Sequence, residues 1–109
     1  MLTYRVLGQV APTNSTTATL YSVPVTRLGT IISSIVVCNQ QTTATTFNIA
    51  IVTSGTSLTT SSYINYNTVI PGNDTIGVSL GVTMATNDAI IVSATGYPIS
   101  FSAYGSEVS

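Results

Sequence analysis

Along most of the chain apolar and polar residues alternate with a period of two, the spacing that places successive side chains on opposite faces of a β-strand. The pattern is clearest where Ile76, Val78, Leu80, Val82 and Met84 alternate with Thr75, Gly77, Ser79, Gly81 and Thr83. That segment predicts a strand with one buried face. Phe47, Ile49 and Ile51 repeat the pattern, as do Ile99, Phe101 and Ala103 against Ser100, Ser102 and Tyr104. The last residues of the chain are expected to fray. Residues 31–38 differ, being continuously apolar apart from Ser33 and Ser34, which suits a central strand covered on both faces. Runs rich in β-branched and aromatic residues at 3–10, 18–23, 63–69 and 89–94 complete a set of about eight strands. No segment reads as a helix.

Turn chemistry separates these runs: Ala11-Pro12-Thr13-Asn14, Arg27-Leu28-Gly29, residues 39–43, Ser54-Gly55, Pro71-Gly72-Asn73-Asp74, Thr86-Asn87-Asp88 and Gly96. Many short strands at this spacing predict an all-β protein, one β-sandwich domain spanning residues 1–109. A jelly roll and an immunoglobulin-like sandwich both fit, because strand order is not written in a single sequence.

Charge changes the picture most. Arg5, Arg27, Asp74, Asp88 and Glu107 are all the charged residues, 5% of the chain, against about 25% in an ordinary soluble domain. Lysine and histidine are absent. Threonine, serine and asparagine supply polarity without a field able to steer a phosphate backbone, so nucleic acid is not an expected partner. The apolar runs are too short to span a bilayer and nothing near the start resembles a signal peptide, so a cytosol-like compartment is expected and no membrane. The lone Cys38, inside an apolar run, reads as a buried reduced thiol.

Without histidine no nucleophile–base triad can be built, and without lysine no Ser–Lys pair. A hydrolase using two carboxylates would need Asp74, Asp88 or Glu107. Asp74 and Asp88 instead read as Asx-type turn residues beside Asn73 and Asn87, and Glu107 lies near the chain end. The same four turn residues could offer oxygens to calcium if the two turns met at one end of the sandwich, but two carboxylates make a weak site. The two sequons, Asn14-Ser15-Thr16 and Asn73-Asp74-Thr75, are no more than chance supplies in so Ser/Thr-rich a chain. Tyr63 and Tyr66 invite a sugar platform, yet residues three apart on a regular strand face opposite ways. These two, with Tyr4, Tyr21, Tyr97 and Tyr104, are therefore expected in the core or at interfaces. No catalytic, cofactor-binding or metal-binding residue is assigned, and the chain is not expected to be an enzyme.

Exposed strand edges are normally guarded by charge, lysine above all, and this chain has almost none to spend there. Its edges and Thr/Ser-rich faces are expected to meet copies of itself or a larger scaffold. Tyr-Arg-Val-Leu-Gly-Gln at 4–9, Thr-Leu-Tyr-Ser-Val-Pro at 19–24, Ser-Ser-Ile-Val-Val-Cys-Asn at 33–39 and Phe-Asn-Ile-Ala-Ile at 47–51 carry a resemblance. Ile-Pro-Gly-Asn-Asp-Thr at 70–75, Leu-Gly-Val-Thr-Met at 80–84 and Phe-Ser-Ala-Tyr-Gly-Ser-Glu at 101–107 continue it over nearly the whole chain. The chain resembles short virion structural proteins of tailed bacteriophages, including cyanophages. The resemblance implies a β-rich particle component without a catalytic role: first a capsid decoration or cement protein binding the major capsid protein. The alternative is a tail, baseplate or fibre component that recognises a host-surface glycan. Either would be made in the host cytoplasm and end in the virion, and no functional residue carries over.

Overall fold

The computed structural model describes residues 2–13 and 16–108, without the side chains of Leu2, Thr3 and Leu80. Asn14 and Ser15, and with them the first sequon and the end of the first turn, lie outside the described residues. The elements in chain order are β1 (Leu2–Val10), β2 (Thr17–Ser22), β3 (Gly29–Asn39), β4 (Thr45–Val52), a short 3-10 turn (Thr60–Ser62), β5 (Tyr63–Ile70), β6 (Thr75–Ala85), β7 (Ala89–Ala94) and β8 (Ile99–Val108). They form two antiparallel four-stranded sheets, β1-β8-β3-β6 and β2-β7-β4-β5. Each β-strand of the first sheet has a sequence neighbour in the second, as when a ribbon of four hairpins is rolled up. Of the two sandwiches the sequence left open, this strand order is the jelly roll.

The inward positions follow the period of two. Phe47 and Ile49 from β4, Ile90 and Val92 from β7, Ile32, Ile35 and Val37 from β3, and Ile99, Phe101 and Ala103 from β8 are buried between the sheets. Phe47 and Phe101 meet across the core edge to face, with ring centroids 6.1 Å apart. Among the described side chains of β6 Met84 is fully buried, while Ile76, Val78 and Val82 point inward but are half-buried, since β6 is an edge strand.

Three expectations are corrected. The C-terminal residues up to Val108 do not fray: β8 is an interior strand, with Val108 paired to Leu2 on one side and Gly29 on the other. β3 is interior within its sheet, but only one of its faces is covered, leaving Ile31 and Ser33 exposed and Ser34, Val36 and Cys38 partly so. Cys38 is accordingly half-buried rather than a core residue.

Candidate functional site

Three of the five charged residues meet at one end of the sandwich. Glu107 is the inward neighbour of Gly105 and Ala103 on β8, so the strand that carries the core also carries a carboxylate into it, at 1% exposure. Arg5 Nη1 lies 3.3 Å and Arg27 Nε 3.5 Å from its Oε1. The Tyr21 hydroxyl, from β2 in the opposite sheet, donates to Oε2 at 2.6 Å. That donation leaves the Thr30 hydroxyl to donate to the Tyr21 oxygen, 2.8 Å away. Burial first, and then the bond to Glu107, push the Tyr21 phenol up to about 12, because both favour the neutral form. The carboxylate is committed to two guanidinium groups and a phenol, which suits it to hold sheets together. In the sequence Glu107 is only a residue near the chain end, and neither arginine is close to it.

The carboxylates considered for calcium or hydrolysis are not brought together. Asn73 and Asn87 do take the left-handed backbone of their turns, with φ 54° and 71°. Asp74 is exposed and accepts the Thr75 N–H at 2.8 Å. Asp88 does more than close its own turn. It is buried, and its two oxygens accept the N–H of Ala85 and of Ser54, both at 2.9 Å, tying the β6–β7 turn to the segment after β4. The eleven residues of β6 run between the two turns, so these oxygens stand at opposite ends of the sandwich, contrary to the arrangement calcium would need. The far end is organised by buried Asn39, whose side-chain amide donates to the carbonyls of Thr43, Ile70 and Pro71.

The tyrosines separate into unlike environments. Tyr21 is in the core, while Tyr4, Tyr66 and Tyr97 are exposed. Tyr63 and Tyr66 lie together, with ring centroids 5.0 Å apart and planes at 73°. The expectation that they face opposite ways fails because β5 is not regular. Its pairing with β4 slips between Phe47 and Ile49 and again between Ile49 and Ala50. At the first slip Asn67 takes φ 50° and donates its N–H to Asn48 Oδ1 at 2.7 Å. The second slip, where Ile49 pairs with Asn65 and Ala50 with Tyr63, puts an extra residue between the two tyrosines, and a bulge so placed brings them to the same side. The pair and Thr60 line a shallow hollow, beside another lined by Thr53, Thr56, Ser57, Thr59, Ser61 and Ser62.

A further open surface is the outer face of the β1-β8-β3-β6 sheet. Cross-strand register places Tyr4, Ser106, Ile31 and Thr83 in one row, and Val6, Tyr104, Ser34 and Ser79 in the next. Tyr4 is 79% exposed, and Val6 and Ile31 are exposed beside it. The charged residues of these four strands, Arg5 and Glu107, both turn to the inner side, so the outward positions carry no charge. In the adjoining loop Val25 and Leu28 are exposed as well, Leu28 sharing a hollow with Ile31 and Thr83. No protein-family model matches this chain, and no curated protein matches it in sequence.

Proposed function

We propose that the chain is a non-enzymatic structural protein of a virus particle, a decoration or cement subunit that binds neighbouring capsid subunits and copies of itself. The observation that carries this reading is the uncharged outer face of the β1-β8-β3-β6 sheet with its exposed Tyr4, Val6 and Ile31. Large apolar side chains exposed on an uncharged face suit it to association, and covering it desolvates no ion. The jelly-roll order supports the reading by analogy only, since that architecture serves capsids, lectins and enzymes alike. The phage resemblance in the sequence points the same way. Mass spectrometry of intact particles, with cryo-electron microscopy of labelled protein, tests it. Many copies over the head are expected, and absence from particles would overturn it.

A second reading, a tail or fibre module that binds a host-surface glycan, is favoured by one observation: the bulge in β5 that brings Tyr66 beside Tyr63, next to a loop rich in hydroxyl groups. Aromatic faces with neutral hydrogen-bonding groups suit an uncharged sugar. Binding in a glycan screen that Tyr66→Ala removes, with the protein located at the tail tip, would favour this module over the cement.

A further inference from the structure

Glycine in a strand sacrifices chain entropy and packing, so each one calls for a cause. Six of the eight glycines here have one. A Cβ at Gly8 would collide with the Leu20 carbonyl where β1 crosses β2. Gly29, Gly72 and Gly105 are likewise closed in by backbone, Gly96 meets the Gln41 side chain, and Gly55 has φ +79°. Gly77 and Gly81 have neither cause. Both are exposed on edge strand β6, neither has positive φ, and a Cβ at either would meet nothing within 4 Å. Nothing among the described residues keeps these two positions bare.

Both point outward on the same uncharged face. That face also holds the near-continuous apolar run of β3, a pattern expected of a strand covered on both sides, whose outward Ile31, Val36 and Cys38 the chain itself leaves uncovered. The face has relief: bulky Tyr4 and Val6 stand on β1 at one edge, and Gly77, Ser79 and Gly81 form a flat strip on β6 at the other.

We propose that the outer face of the β1-β8-β3-β6 sheet binds the same face of a second copy, with Gly77 and Gly81 kept bare for the partner's β1. A twofold axis along the strands lays β1 of each copy over β6 of the other. Since Tyr4 is level with Thr83 and Val6 with Ser79, those two side chains then straddle the partner's Gly81. The bulky half of each face fills the flat half of the other, as a self-complementary interface requires. An uncharged face also calls for an uncharged partner, which this face itself is. Four strands at ~4.8 Å spacing and about eight residues of overlap at ~3.4 Å cover roughly 500 Å² per copy, about 1,000 Å² for the pair, at the lower bound for a specific interface. The dimer is therefore weak, strengthened when both copies also hold to a particle. This inference names one partner within the function proposed above and rests on that reading only for its biological setting.

Sedimentation velocity of the purified chain from about 10 µM to about 1 mM provides the test. The wild type is expected to pass from monomer to dimer over this range. Gly77→Val and Gly81→Val are expected to keep or raise the melting temperature, because a β-branched residue suits an open strand position better than glycine, while weakening association at least tenfold. Tyr4→Ser, at a side chain the monomer does not use, is expected to weaken it too and covers the case in which a glycine variant fails to fold. A wild type that stays monomeric at the top of the range, or well-folded variants that dimerise as before, would overturn the proposal. Incorporation into particles is read separately. A monomer that joins particles, and no longer does so with Gly81→Val, assigns the face to a capsid subunit and overturns the second copy while leaving the particle reading intact. A dimer absent from particles does the reverse.

Discussion

The two long flanks of the sandwich are closed by different means. On one flank β1 and β2 draw together so tightly that Gly8 touches the Leu20 backbone, and the end is clasped by Glu107, Tyr21, Thr30 and two arginines. On the other, β5 and β6 are edge strands without a charged residue, and the inward Ile76, Val78 and Val82 of β6 are only half-buried. β5 is kinked by its two register slips and held at Asn67 by the Asn48 side chain. A buried carboxylate is costly unless its partners are in place, so the clasp admits one arrangement of β1, β2, β3 and β8. The open flank instead relies on irregularity, since a bulged edge is a poor template for a stray strand even without lysine to guard it.

This contrast predicts where the fold is sensitive. Glu107→Ala is expected to cost most, about 3 kcal/mol, because it strips a buried acceptor from the Tyr21 hydroxyl and leaves a void, while the partly exposed arginines turn to water and soften the loss. Urea unfolding measures it, and a cost below about 1 kcal/mol would mean the clasp does not hold the flank.

Tyr21→Phe is expected to cost about 1.5–2 kcal/mol at neutral pH, one charge-assisted hydrogen bond with the ring retained. It carries a pH signature as well. The folded phenol titrates at about 12, above its ordinary 10, so its contribution is whole below pH 10 and is lost as pH rises from about 10 through about 12. The wild type should therefore lose more stability than Tyr21→Phe between these values, and parallel curves would break the assignment.

On the open flank Asn67→Ala is expected to cost least, about 1 kcal/mol, from placing a Cβ residue without a local polar side chain at φ 50°. Asn67→Gly is expected to be close to neutral. Since Asn67 adjoins Tyr66, the sharper readout is nuclear Overhauser contact between the Tyr63 and Tyr66 rings. Its loss in Asn67→Ala but not in Asn67→Gly would show that the backbone conformation, and not the side chain, sets the pair.

The strands, their turns and the inward residues of β4 and β8 were legible in the chain itself, because a period of two records which side of a strand meets water. The scarcity of charge was equally legible, and with it the expectation of covered surfaces. Three things needed the tertiary structure. The choice of jelly roll came from strand order, which depends on pairings between segments as distant as Leu2 and Val108. The clasp came from bringing Arg5, Tyr21, Arg27 and Glu107 to one end, where no local spacing relates them. Tyr63 and Tyr66 became a pair only through a bulge, since the rule that separates residues three apart holds for a regular strand and one inserted residue reverses it. Periodicity is a local record of burial, whereas order, clasp and bulge are set by which strands lie side by side, and that is decided by the packing of the whole core.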